Sequence, residues 1–325
     1  MRADRQRGTD GLRPRDVVRE LLTTPDLDAW PQESPYREPQ QPGAVRATFL
    51  GVSTVLLDDG VNAVLTDGFF SRPGILQTSL GRIGPNSRRI AAALRRPGFD
   101  RLDAVVVTHS HFDHAMDSAT VAQRTGAWLL GSESTRQIGA GVAFPDERFI
   151  PFEHGRTVRF GAFGVTTFPS EHSPGDQFPG AVSEPLTPPV RMPRYRTGDV
   201  VSVLIEHGGR VVLVHGSAGF VPGALAGQRA DTVYLGVGLL SRQSEAFREA
   251  YWDEVVAAVG ATRVVPVHWD NFTRSLARPL RPVPRPVEDI PAAFAWLKYR
   301  AERSGVGFEV PRAGEPVDPW PHVPA

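Results

Sequence analysis

The chain has 325 residues, 41% of them hydrophobic, with 36 basic and 36 acidic side chains and a formal net charge of zero. That size and apolar content suffice for one large α/β domain with long loops, and zero net charge gives no global field to recruit nucleic acid or an anionic membrane. With no cysteine, disulfides, thiolate metal sites and cysteine nucleophiles are excluded, so any metal would need His, Asp or Glu, a ligand set that suits zinc, iron or manganese.

Residues 1–45 read as an Arg/Pro-rich extension. A short helix is predicted over Arg15 to Leu22, followed by Pro25, Pro31, Pro35, Pro39 and Pro42, which discourage regular structure. The extension has no apolar stretch like that of a signal peptide, and no window reaches the roughly 18–20 apolar residues that span a bilayer. The expectation is a cytoplasmic protein without stable membrane insertion.

Strand signals begin at Ala47. Short apolar runs at Ala47–Leu50, Thr54–Asp58 and Ala63–Thr66 predict a meander, and Arg88–Arg95 a helix stopped by Pro97-Gly98. Ala104–Val107 is a continuous apolar run, which predicts a strand buried on both faces. A helix is predicted over Ala115–Thr125 and a strand at Trp128–Leu130. Val200–Glu206 and Arg210–His215 read as a hairpin around His207-Gly208-Gly209. Thr232–Gly236 and Arg263–Val267 read as strands, with a helix over Glu245–Val259 between them. The stretch 173–199 is a loop insertion, with six prolines between Ser173 and Thr197. Residues 46–275 are thus the expected catalytic domain, and 276–325 a C-terminal extension with one helix at Ile290–Arg303. Strands alternating with helices across both halves predict two β-sheets flanked by helices.

Directly after the Ala104–Val107 strand comes the run His109-Ser110-His111-Phe112-Asp113-His114. In extended backbone His109 and His111 point to the same side, while Asp113 and His114 follow where the chain turns into a helix. Such a segment can feed two neighbouring metal positions, and imidazoles with a carboxylate form a catalytic zinc ligand set that lacks thiolates. Three further histidines, His172, His215 and His268, also follow apparent strands. His154, His207 and His322 lie in turn-like or tail contexts and read as surface residues.

The run resembles the H-x-H-x-D-H signature of the metallo-β-lactamase superfamily at every defined position. His172, in Pro169-Ser170-Glu171-His172-Ser173, is similar to the family's next histidine, and His268, in Pro266-Val267-His268-Trp269, to its last. Phe49-Leu50-Gly51-Val52-Ser53-Thr54 and Leu65-Thr66-Asp67 resemble its opening hairpin and structural aspartate. The resemblance spans about Ala47 to Phe272 and looks closest to ascorbate-6-phosphate lactonases and N-acyl-phosphatidylethanolamine phospholipase D-like hydrolases. It implies an αββα sandwich with two mixed sheets, and a metal-dependent hydrolase carrying one or two Zn2+ ions, with Fe or Mn as other candidates.

One position departs from the pattern. Where many members carry a bridging aspartate in a Gly-Asp-Thr-Gly turn, this chain has His215-Gly216-Ser217-Ala218-Gly219. Three arrangements follow: a single metal, ligation by His215, or two metals without a bridging carboxylate. The last resembles a β-lactamase subclass with serine at this turn. It implies His109, His111 and His172 around one metal and Asp113, His114 and His268 around the other. Asp113, His114 and His268 are then the expected catalytic group, with Asp67 bracing the site.

The resemblance implies a metal-bound hydroxide acting on a small ester, lactone, amide or phosphodiester. Loop candidates for substrate binding are Arg72, Arg82, Phe178, Arg194 and Tyr195. Arginines there suit a phosphate or carboxylate, whereas Phe178 and Tyr195 suit an apolar group. The alternatives are an iron-dependent dioxygenase of the same fold and a non-catalytic metal-binding relative. No nucleic-acid partner is expected, and the sequence sets no oligomeric state.

Overall fold

The computed structural model describes residue 25 and residues 27–35 and 43–320. The helix predicted at Arg15 to Leu22, and His322, lie outside the described residues. Strands β1 (Arg46–Phe49), β2 (Val55–Asp58) and β3 (Ala63–Thr66) form the opening meander. Helices α1 (Ile75–Leu80) and α2 (Ser87–Ala93) follow, the second capped by the Asn86 side chain. Strand β4 (Leu102–Val106) leads to α3 (Phe112–Ala115) and α4 (Ser118–Thr125). The helix predicted at Ala115–Thr125 is therefore two pieces. Between them, the Asp117 carboxylate caps neither piece and accepts the Phe70 and Ser71 amides instead.

Next come β5 (Trp128–Gly131), α5 (Glu133–Ala140), β6 (Phe149–Pro151), β7 (Thr157–Phe160), β8 (Phe163–Ser170), β9 (Val200–His207), β10 (Arg210–His215) and β11 (Thr232–Gly236). Helix α6 (Glu245–Trp252) runs into a π-helical turn at Asp253–Ala257, so the predicted single helix changes pitch midway. The described chain closes with β12 (Arg263–Val267), α7 (Ile290–Ser304), β13 (Gly307–Phe308) and β14 (Pro316–Val317).

Two mixed sheets of seven strands each result, in the orders β14-β1-β2-β3-β4-β5-β6 and β13-β12-β11-β10-β9-β8-β7. Counted from β14 in the first and from β7 in the second, three antiparallel pairings are followed by three parallel ones. The two sheets thus share one pattern, although the sequence shows no internal repeat. On β4, Ala104 and Val106 pack into the core between the sheets, whereas Val105 joins Leu65, Ile90 and Val121 beneath the outer helices. That two-sided burial is why β4 reads as an unbroken apolar run.

The C-terminal extension expected from residue 276, with its helix packing on the domain, also contributes strands. Strand β13 pairs with β12 and β14 with β1, so the C-terminal residues complete both sheets. Residues near the N-terminus dock on the same edge, where Gln32 bridges Val310 and Glu33 is ion-paired with Arg263. His207 is not a free surface residue either: its Nε2 lies 3.0 Å from Asp59 Oδ2 and ties the second sheet to the first.

Candidate metal centre

Three loops that leave β4, β8 and β12 bring six side chains together. His109, His111 and His172 form one group and Asp113, His114 and His268 another, each with its ligand atoms within 4.8 Å of one another. These are the two sets implied by the sequence. The turn after β10 closes against the β8 loop. A Cβ on Gly219 would come within 2.4 Å of the Glu171 and His172 carbonyl oxygens, so the backbones meet only because this residue is glycine.

Asp67 holds the centre from beneath. One of its oxygens accepts the Thr108 amide at 2.7 Å; the other accepts the Ser53 hydroxyl at 2.5 Å and lies 2.9 Å from His114 Nδ1. With Nδ1–H given to Asp67, His114 keeps its Nε2 lone pair for the centre. His172 is set the same way, its Nδ1 donating to the Ser173 carbonyl at 3.0 Å. Val52, Asp67 and His268 all have positive φ values, of 54°, 56° and 62°. Each left-handed non-glycine residue costs about 1–3 kcal/mol. The strain is held in part by the His268 amide, which donates to the Val52 carbonyl at 2.7 Å.

The donor set fits divalent metal ions. His109 Nε2 is buried with no hydrogen-bond partner among the described residues. His114 Nε2 and His268 Nε2 stand 3.2 Å apart, with Asp113 Oδ2 at 3.3 Å from the second and 3.7 Å from the first. Tetrahedral ligands about 2.1 Å from a zinc ion lie about 3.4 Å from one another, so these separations are those of ligands around a common centre.

The electrostatics of the His109, His111 and His172 group agree. Burial pushes the pKa of His109 well below the usual imidazole value, that of His111 down, and that of His172 to about 4, which keeps all three neutral as metal ligation requires. Burial would raise Asp113, but the neighbouring His114 and the hydrogen bond from His268 outweigh it and hold this carboxyl below the usual range. His268 is pulled down by burial and, more strongly in sum, up by Asp113, so its net shift is upward.

Several sequence candidates sit elsewhere. His215 is buried with both ring nitrogens engaged, Nδ1 with the Ser202 hydroxyl at 2.8 Å and Nε2 with the Gly219 carbonyl at 2.7 Å, and it belongs to neither group. The Ser217 hydroxyl accepts the Ser173 amide at 3.0 Å. Arg72 is wholly buried against Asp270, because its charge is neutralised inside the fold. Tyr195 is buried in the core beneath the outer helices, while Arg82 and Arg194 are exposed, the latter paired with Glu184 at 3.0 Å. None of these four lines the cavity over the centre; Phe178 does, with its ring edge-on to His111.

Asp176 went unrecognised in the sequence. It lies 3.3 Å from His111 Nε2, which also meets the Thr197 hydroxyl at 3.1 Å, and this leaves Nδ1 of His111 to face the centre. A lone aspartate in a Pro/Gly loop carries no local signal for that role.

His215 also makes a pH prediction. Burial lowers its pKa from 6.5 to about 4. A depressed imidazole contributes stability that is complete above the unfolded value and is lost as pH falls through the folded one. Between pH 7 and pH 4, the unfolding free energy of the native chain should therefore fall relative to a His215→Gln variant by on the order of 3 kcal/mol. Urea titrations of both proteins across that range measure it, and parallel curves would refute it.

Two seven-stranded mixed sheets with six candidate metal ligands at converging loops define a metallo-β-lactamase-type αββα protein. The chain belongs to the β-lactamase superfamily: the family description "Beta-lactamase superfamily domain" matches residues 62–269, more than half of it. A UPF0173 metal-dependent hydrolase of Methylobacterium nodulans is 30% identical over 131 residues, 40% of this chain, and the match spans only half of that relative. A UPF0173 metal-dependent hydrolase of Thermus thermophilus is 24% identical over 275 residues, covering 83% of this chain and 97% of the relative. Among solved structures, a metallo hydrolase of Ignicoccus hospitalis superposes with a TM-score of 0.53 at 17% identity, covering 84% of this chain and 97% of its own. That likeness is one of fold.

Proposed function

We propose that this chain is a metal-dependent hydrolase of small ester, lactone, amide or phosphodiester substrates, holding two divalent ions, with zinc the ion its donors suit best. The observation that carries the reading is the pair of three-ligand groups, with a nitrogen of His111, His114 and His172 fixed by a partner outside the centre. Bound there, divalent ions supply Lewis acidity and acidify a water for attack on an acyl or phosphoryl centre.

The residues of the chain do the rest. Asp113 remains ionised in a buried site, so its carboxylate can orient the attacking water. Asp67, through His114, and Asp176, through His111, fix the rings of two ligands. Phe178, Met192 and Phe272 line a cavity of about 290 Å³ over the centre and limit the access of bulk water.

The test is metal analysis of protein purified without added metal, followed by a panel of p-nitrophenyl esters, lactones and bis-p-nitrophenyl phosphate. Two zinc ions per chain, with hydrolysis lost on chelation and restored by zinc, is the expected result. Tightly bound iron together with oxygen consumption and no hydrolysis would overturn it.

A further inference from the structure

The cavity over the metal centre is strongly apolar. Ile75, Phe178, Met192, Leu239, Phe272 and Val283 contribute to its wall, and no lysine or arginine does so among the described residues. Its apolar surface continues outward along α1, where Ile75, Leu76 and Leu80 are all exposed. Every arginine considered above as an anion clamp is either buried or turned away. Apart from the metal-centre side chains, one ionisable group among the described residues lines this wall: Glu288.

Glu288 is only 2% exposed. Its Oε1 accepts the Ser241 amide at 2.7 Å, and the Ser241 hydroxyl in turn accepts the Asp289 amide at 3.2 Å, so two chain segments clamp the carboxyl in place. Its Oε2 is buried and has no hydrogen-bond partner among the described residues. The exposed Arg242 beside it donates to the Pro286 carbonyl instead. A buried, unpaired carboxylate oxygen is costly unless a donor completes it, and burial accordingly raises the Glu288 pKa. A fixed, unsatisfied acceptor in an apolar wall is how a binding site reads one polar group on an apolar ligand.

We propose that Glu288 is a specificity-determining residue of this cavity. It receives a hydrogen-bond donor, an ammonium or hydroxyl group, carried by an apolar substrate at a distance from the bond that is cleaved. Substrates with an anionic group at that remote position are rejected, because the wall offers no cation and Glu288 repels them. The proposal rests on the hydrolase reading for the identity of the cavity as a substrate site.

The experiment measures binding of hexylamine, hexanol and hexanoate to chelator-treated protein by calorimetry, for the native chain and Glu288→Gln. Removing the metals keeps hexanoate from binding to them. The native chain should bind hexylamine about tenfold more tightly than hexanoate, with hexanol between. Glu288→Gln, which keeps the side-chain volume and the acceptor for Ser241, should reduce the preference to about threefold or less, with Tm confirming that the variant is folded. Equal binding of hexanoate and hexylamine to the native chain would overturn the proposal without any variant. A preference that survives Glu288→Gln would do the same, since Asp113 and Asp176 would then be its source. Failure of the hydrolase reading would appear separately, as zinc-loaded protein that turns over no substrate while the binding order stands.

Discussion

Asp113→Ala is expected to lose the metal bound by Asp113, His114 and His268 and to lower kcat by on the order of 10³-fold or more. The carboxylate is the one anionic member of its group, and it offsets the repulsion between cations in neighbouring sites. It stands 3.3 Å from His268 Nε2 and 3.7 Å from His114 Nε2, so without it two imidazole nitrogens 3.2 Å apart remain. A cation held by them alone lacks both charge balance and an oriented water. Several kcal/mol of lost transition-state charge stabilisation, at about 1.4 kcal/mol per tenfold, corresponds to that drop. Asp176→Asn supplies the contrast. It touches the centre only through His111, so metal affinity should fall about 10- to 100-fold while metal still binds at saturation. Metal content and kcat on the best substrate of the panel measure both. Asp113→Ala retaining two ions and native turnover would contradict the assignment.

Arg72→Ala should destabilise the fold by about 3–5 kcal/mol, the cost of stranding a buried carboxylate. Arg72 and Asp270 have fully buried side chains, with Nη1 2.6 Å from Oδ2. The other Asp270 oxygen accepts the Val52 amide at 2.7 Å, and the Val52 carbonyl accepts the His268 amide at 2.7 Å. Arg72 thus anchors the loop that presents the candidate ligand His268. It packs so closely on Gly51 that a Cβ there would lie 2.0 Å from Nη2, in a backbone with a φ of +92°. Urea denaturation measures the loss. A double variant, Arg72→Met with Asp270→Leu, should recover much of it, because no lone charge is then buried. A loss below about 1 kcal/mol in Arg72→Ala would mean that Asp270 is satisfied without it.

Much of the fold was legible where one local signal sufficed. Strands β11 and β12 were read to the residue, because Thr232–Gly236 and Arg263–Val267 are continuous buried runs between turn signals. The stretch from Glu133 to Ser170 was missed. Helix α5 is mostly polar, with only the Ser132 cap to announce it, and β7 and the end of β8 are partly exposed, which blurs their apolar pattern.

The sequence by itself determined the six candidate ligands. His109, His111, Asp113 and His114 are neighbours in the chain, and His172 and His268 follow strands, so a resemblance written in short motifs could find them. Asp67 was legible as a brace from the same resemblance, whereas the roles of other polar residues were settled only by tertiary structure. His215 follows a strand as His172 and His268 do, yet its nitrogens are taken by Ser202 and Gly219. Asp176 meets His111 across a folded loop. Arg72, a loop candidate for substrate binding in the sequence, is buried by a partner 198 residues away. A metal ligand is marked by residue type and spacing, but the role of a buried charge depends on the distant group that neutralises it. That pairing exists only once the two sheets have packed.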